Sequence, residues 1–377
     1  MKEIHFNVPL HMDESNKNVK KFLSSKQPLH GPGVNTDAVK KILGKEFGFK
    51  KTYLTNSCTS ALEICALAVG LNQFDEVLLP SFSFITTASS FARTGCKLKY
   101  LDIEKKTLMP SFDNIKKNIT KKTKIIVILH YQGYSVDYLD KLQKLCKKKK
   151  IFLVEDAAQA FGSYYKNKAL GSFGDFACFS FHETKNIHAG TGGLLVVNNK
   201  KFINKINCIF DKGTNRHLMQ SKKVKYYTWV DIGSSFLMTE FNASYLLPQI
   251  KNYKKIFLKR SYLYFKYVNN LKSLNEKNII LTNCYKYKYN FHAFVIILKN
   301  NSRDLFLKYL KKNKINAVIS YMPLHKSKFG KKFLPNKKKL INSDLYIKKI
   351  VRLPLHNELT LDEVNYISAK IKKYFKI

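Results

Sequence analysis

The sequence predicts an α/β protein built on a mainly parallel sheet, with a smaller α+β part at its C-terminal end. Two observations carry that expectation. From about residue 51 to 199, short β-rich runs alternate with stretches of helical apolar spacing, the pattern of βα units that build a parallel sheet. From about residue 253 this alternation stops, and a long helical stretch leads into isolated strand-like and helical segments. A chain of 377 residues can bury a large core and divide in two, which places the expected large unit at 1–250, with an N-terminal arm, and the small unit at 251–377.

In chain order, strands are expected at 52–54, 76–79, 99–101, 124–129, 151–155, 176–181 and 193–197, seven in all. Helices at 59–69 and 136–148 carry apolar residues three and four apart. Residues 202–251 read as helices and loops. Beyond them follow a long helix at 256–274, a strand at 292–298, a helix at 303–312, a strand near 316–320 and a final helix at 361–374. No repeat or low-complexity linker separates the two parts.

In parallel α/β sheets the ligand sits at the carboxyl ends of the strands. Residues 56–60, His130, Asp156 and 180–185 fall there. Lys185 stands in the run from Cys178 to Asn186, which opens on apolar Cys178 and Phe179, with Gly192-Gly193 downstream and the acidic strand end Glu155-Asp156 upstream. That layout suits a lysine that holds pyridoxal 5'-phosphate (PLP) as a Schiff base, with Asp156 aimed at the ring nitrogen. A carboxylate at the end of an apolar strand is costly unless paired, and a protonated ring nitrogen is such a partner. The small residues from Asn56 to Ala61 follow a strand and open a helix. They suit an N-cap, and beside Lys185 they suit a phosphate bound by backbone N–H groups and the helix dipole. Gln159 can bond the ring's phenolic oxygen or face solvent. Phe84 can stack on the ring or join the core, and His130 can line the site or pack as a satisfied histidine.

The formal charge of +41 invites a nucleic-acid reading, but only five of the 67 basic residues are Arg, the residue best suited to base recognition. The lysines spread along the whole chain beside abundant Ile, Asn, Tyr and Phe, so no specific nucleic-acid partner is expected. Lysine runs at 147–150 and 337–339 read as solvated helix ends or loops. The seven cysteines (Cys58, Cys65, Cys96, Cys146, Cys178, Cys208, Cys284) form no Cys-x-x-Cys pair and no zinc-like cluster with His, so reduced thiols and no metal are expected. There is no apolar stretch of membrane-spanning length and no signal-like start, and the expected location is the cytoplasm.

At 56–62, 80–87, Asp102, 130–133, 155–159, 169–171, 180–186, Gly192-Gly193 and 321–325 the chain resembles the DegT-type sugar-nucleotide aminotransferases, and the resemblance runs from Phe6 to the C-terminus. It implies a fold type I PLP-dependent aminotransferase: a large domain with a mainly parallel seven-stranded sheet, a smaller C-terminal α+β domain, and a homodimer with sites at the subunit interface. It further implies Lys185 as the Schiff-base lysine and Asp156 as the pyridinium partner. Gln159 would bind the phenolic oxygen, Phe84 would stack, and Cys58, Thr59 and Ser180 would hold the phosphate. Most of the family places an Asn where this chain has Ser235, a position that reaches the neighbouring subunit's phosphate. Ser235, together with 179–186 and 212–216, resembles the subgroup of dTDP-4-amino-4,6-dideoxygalactose transaminases. That subgroup moves an amino group from L-glutamate to the C4 ketone of dTDP-4-dehydro-6-deoxy-D-glucose for cell-surface polysaccharide synthesis. A relative acting on another nucleotide-linked keto-sugar fits the same motifs. His130, Arg216 and His325 are the expected substrate contacts.

Overall fold

The computed structural model describes residues 2–282, 287–299, 303–335 and 339–377. Cys284 and two residues of the 337–339 lysine run lie outside the described residues. Seven strands form one sheet: β1 (Thr52–Thr55), β2 (Glu76–Pro80), β3 (Lys97–Leu101), β4 (Thr123–Leu129), β5 (Phe152–Asp156), β6 (Phe176–Ser180) and β7 (Gly193–Val197). Across the sheet the order is β1-β7-β6-β5-β4-β2-β3. All neighbouring pairs are parallel except those of β7, which runs antiparallel to β6 and β1. Every side chain from Ile125 to Leu129 is buried, because helices cover both faces of the sheet. On one face the core includes Val39, Leu43, Leu246 and Ile250; on the other, Ala61, Ile64, Phe91 and Ile206.

A second, antiparallel sheet follows, with β8 (Ile280–Thr282) and β10 (Ile350–Leu353) flanking β9 (Phe294–Leu298). The helix Tyr253–Asn270 lays Tyr264 and Tyr267 on Phe294, with ring centroids 4.9 and 4.7 Å away. The helix Leu361–Tyr374 begins with a capping box between Thr360 and Glu363 and packs beside it. Its apolar stripe of Val364, Ile367 and Ile371 joins the same buried cluster as Leu263 and Leu43, so the core is continuous between the two sheets.

Several segments differ from expectation. Residues 316–320 form no strand: Val318 makes a single bridge to Arg352, and Ile315 one to Ile4. The helix expected from 136 begins at Leu139, and the long helix occupies Tyr253–Asn270. Two helices that periodicity did not reveal are Asp13–Ser24, packed on the helix Glu240–Lys251, and Val34–Phe47, packed on that same helix and on β1. The second starts at Gly33 without a side-chain cap of its own. Its cap is Glu240, a buried carboxylate 2.8–2.9 Å from the backbone N–H groups of Gly33, Asn35 and Thr36. No helix of the described residues is long and apolar enough to cross a membrane.

Candidate active site

A cavity of about 370 Å³ opens at the carboxyl ends of β5 and β6. The N-terminus of the helix Cys58–Val69 contributes Ser57, Cys58 and Thr59; the end of β5 contributes Asp156 and the turn after it Gln159. Ser180 and Lys185 come from β6 and the loop after it. The opposite wall comes from the later chain, with His292, Tyr321 and Arg352, and from Phe6 near the start.

Ser57 caps its helix by accepting a hydrogen bond from the Ser60 N–H at 3.0 Å. The first residue of β7 passes directly behind this turn, and only glycine fits. A Cβ on Gly193 would lie 2.3 Å from the Ser57 carbonyl carbon and 2.5 Å from the Cys58 nitrogen. The helix opening thereby faces the cavity with small side chains, and the Cys58 and Thr59 N–H groups have no partner among the described residues.

Asp156 ends β5 and is buried. Its carboxylate accepts from the Thr87 hydroxyl at 2.6 Å and the Ala158 N–H at 3.2 Å. Burial pushes its pKa up, against the pull of Thr87, Ala158 and Lys185. Lys185 sits in a compact excursion between β6 and β7. The Lys185 N–H bonds the His182 carbonyl, and the Glu183 and Phe181 N–H groups close onto Gly190 and Gly192. Burial and the positive charge of Arg352 lower the Lys185 pKa to about 8, while Cys58 and Asp156 act in the opposite direction. Such an amine is neutral in a useful fraction of molecules at neutral pH, as a nucleophile and proton carrier must be.

Gln159 is buried and fixed at both ends. Its Oε1 accepts from the Gln132 N–H at 2.7 Å, and its Nε2 donates to the Tyr321 hydroxyl. Phe84 is 53% exposed and offers a free aromatic face at the cavity, with its centroid 6.1 Å from that of Tyr321.

Seven predicted positions therefore line one cavity: Cys58, Thr59, Phe84, Asp156, Gln159, Ser180 and Lys185. Four do not. His130 is fully buried, its Nε2 donates to Glu155 at 2.9 Å, and it does not line the cavity. Glu155 also accepts the N–H groups of Gly171, Phe173 and Gly174. Against the upward push of burial, the His130 contact first and the Gly174 and Gly171 N–H groups after it hold its carboxyl below the ordinary range. His325 is buried between the Ser81 hydroxyl (2.6 Å) and Asp344 (2.9 Å), closing a turn rather than reaching the cavity. Arg216 lies away from the cavity, 3.8 Å from Asp211 and over the Tyr227 ring. Ser235 is exposed beside Asn56, whose side-chain amide donates to the Ser235 carbonyl at 3.1 Å, and it does not line the cavity of its own chain.

Four further residues line the cavity that were not among the expected site residues: Thr87, Tyr321, His292 and Arg352. Thr87 and Tyr321 lie within segments that matched the family pattern. Arg352 had a signal of its own: in a chain so biased to lysine, a retained Arg marks a site that a lysine does not serve. Its guanidinium lies 5.0 Å over Phe6, and its buried Nε has no partner among the described residues.

The sequence pattern of the DegT/DnrJ/EryC1/StrS aminotransferase family matches residues 9–372. The chain belongs to this family. It is 28% identical to GDP-perosamine synthase of Escherichia coli O157:H7 over 333 residues, 84% of each chain. Helicobacter pylori PseC, an aminotransferase involved in the biosynthesis of pseudoaminic acid, superposes with a TM-score of 0.90 at 26% identity over 100% of both chains. Spr1654 of Streptococcus pneumoniae in its PLP form shares the fold, with a TM-score of 0.90 at 24% identity over 99% of both chains.

Members of the family are PLP-dependent aminotransferases, and so is this chain. Its residues fit that cofactor. A buried acid suits a protonated ring nitrogen, a lysine of lowered pKa suits the aldehyde, an open helix N-terminus suits the phosphate, and a bare aromatic face suits the ring.

Proposed function

We propose that this aminotransferase moves the amino group of L-glutamate to the C4 ketone of dTDP-4-dehydro-6-deoxy-D-glucose. The products are dTDP-4-amino-4,6-dideoxy-D-galactose, destined for a cell-surface polysaccharide, and 2-oxoglutarate. The observation that carries the transaminase reading is the convergence of Lys185 and Asp156 on one cavity with the small-residue helix opening at Cys58. The sugar reading rests on the segments 179–186 and 212–216 and on Ser235.

Bound in the cavity, PLP supplies an electron sink for breaking the C–H bond next to the transferred nitrogen. Asp156, held by Thr87 and the Ala158 N–H, keeps a proton on the ring nitrogen. Ser57, Cys58, Thr59 and Ser180 take the phosphate, Gln159 takes the phenolic oxygen, and Phe84 covers the ring. Lys185 Nζ accepts the proton from the donor's carbon and returns it across the same cavity, a role that its lowered pKa supports. The proposed division near residue 251 puts this cavity between the large and small units. The segment before Ser235 exposes Tyr226, Trp229 and Ile232 (69, 80 and 68%), as expected of a surface covered by a second copy in a homodimer.

A second reading is favoured by the GDP-perosamine synthase relative: a GDP-linked keto-sugar in the same cavity. Purified protein, L-glutamate and a panel of dTDP-, GDP- and UDP-linked keto-sugars separate the two. Amino product from the dTDP-4-dehydro sugar is expected; product from a GDP-linked sugar alone would replace the assignment.

A further inference from the structure

His292 is 6% exposed and stands in the cavity wall just before β9, close enough to Lys185 for its charge to act on the ring. Its Nδ1 lies 3.1 Å from Asn186 Oδ1, and Asn186 Nδ2 lies 2.7 Å from the Asn290 carbonyl oxygen. A carbonyl can only accept, so the amide nitrogen of Asn186 must face Asn290 and its oxygen must face the ring. Nδ1 therefore carries the hydrogen. Burial, Lys185, Arg352 and Arg260 all oppose a second proton, so the ring is neutral and Nε2 presents a lone pair. No donor among the described residues meets that lone pair. Arg260 holds the backbone here, donating to the Phe291 and His292 carbonyls at 2.9 Å each.

We propose that His292 is a specificity-determining residue, a pure hydrogen-bond acceptor of fixed tautomer that takes a hydroxyl of the sugar substrate. This rests on the transaminase reading above. The two substrates that share the cavity differ in what they offer. Apart from the amine that reacts, an amino acid presents carboxylates, which only accept and which a lone pair repels. A sugar presents hydroxyls, which donate. Arg352 offers the opposite character on the same wall, so one wall holds a donor-only and an acceptor-only group.

The test follows the two half-reactions separately in the holoenzyme. His292→Phe keeps the ring volume and removes the acceptor; His292→Gln keeps an acceptor. His292→Phe should raise the keto-sugar concentration for half-maximal rate by about ten- to a hundred-fold, the effect of leaving a buried partner unmet. The glutamate half-reaction should stay within about two-fold, and His292→Gln should recover part of the loss. Calorimetry on the cofactor-free protein with dTDP-glucose, which has no ketone to react, should show the same order of affinities. Equal damage to both half-reactions would mean that His292 acts through Lys185, and unchanged sugar affinity in His292→Phe would mean that it meets no hydroxyl. Either result overturns the proposal. Failure of the wild-type glutamate half-reaction would instead sink the transaminase reading beneath it.

Discussion

The lowered pKa of Lys185 has a direct consequence for its reactivity. Folding brings it from 10.5 to about 8, with burial first and the Arg352 charge second among the causes. At pH 7 an amine titrating at 8 is neutral in about one molecule in ten, against about one in three thousand at 10.5. The assay is competitive acetylation of the cofactor-free protein across pH, with Lys185 followed by mass spectrometry. Wild-type reactivity should reach half its plateau near pH 8. Arg352→Gln removes a like charge and should move that midpoint up. Asp156→Asn removes a carboxylate that favours the ammonium and should move it down. The same group sets a stability trend. With its folded pKa below the unfolded one, the folded state binds fewer protons between pH 8 and 10.5, and stability rises with pH across that window. The distance from 10.5 to about 8 corresponds to about 3 kcal/mol. A wild-type midpoint near 10.5, or shifts of the same sign in the two variants, would refute the reasoning.

Three further predictions concern the frame of the site. Glu155→Gln leaves three buried N–H groups and His130 with a weaker partner and should destabilise the protein by about 3 kcal/mol, read by urea denaturation. Because Glu155 is held below its unfolded pKa, its contribution is present at neutral pH and fades on acidification through its folded pKa, so the wild-type advantage should shrink there. Gly193→Ala drives a methyl into the Ser57–Cys58 turn and should weaken PLP binding at least ten-fold in a fluorescence titration. Arg260→Met leaves the Phe291, His292 and Leu355 carbonyls without their shared donor. It should lower stability by about 2 kcal/mol or more and raise the KM for the keto-sugar.

Much of the sheet was legible because β4, β5 and β6 carry short apolar runs, at 125–129, 151–154 and 176–179, buried between helices on both faces. The cavity residues on those strand ends were legible for the same reason: the parallel topology alone places Asp156, Ser180 and Lys185 at one edge. What escaped depends on partners distant in sequence. The helix Val34–Phe47 shows no N-cap of its own because Glu240 caps it from some 200 residues away. His130 follows a strand end like a site residue, yet Glu155 on the adjacent strand holds the ring inward. His325 and Arg216 are drawn off by Asp344 and Asp211. His292 read only as the start of a strand, since its chemistry depends on the orientation of Asn186, which no local pattern encodes.

The most direct measurement follows nitrogen. Purified protein is supplied with PLP, L-[15N]glutamate and dTDP-4-dehydro-6-deoxy-D-glucose, and the sugar nucleotide is analysed by mass spectrometry beside a Lys185→Ala control. The wild type should form a dTDP-amino sugar carrying 15N, and the variant should form none. Label in the Lys185→Ala product, or no amino sugar from any nucleotide-linked keto-sugar, would contradict it.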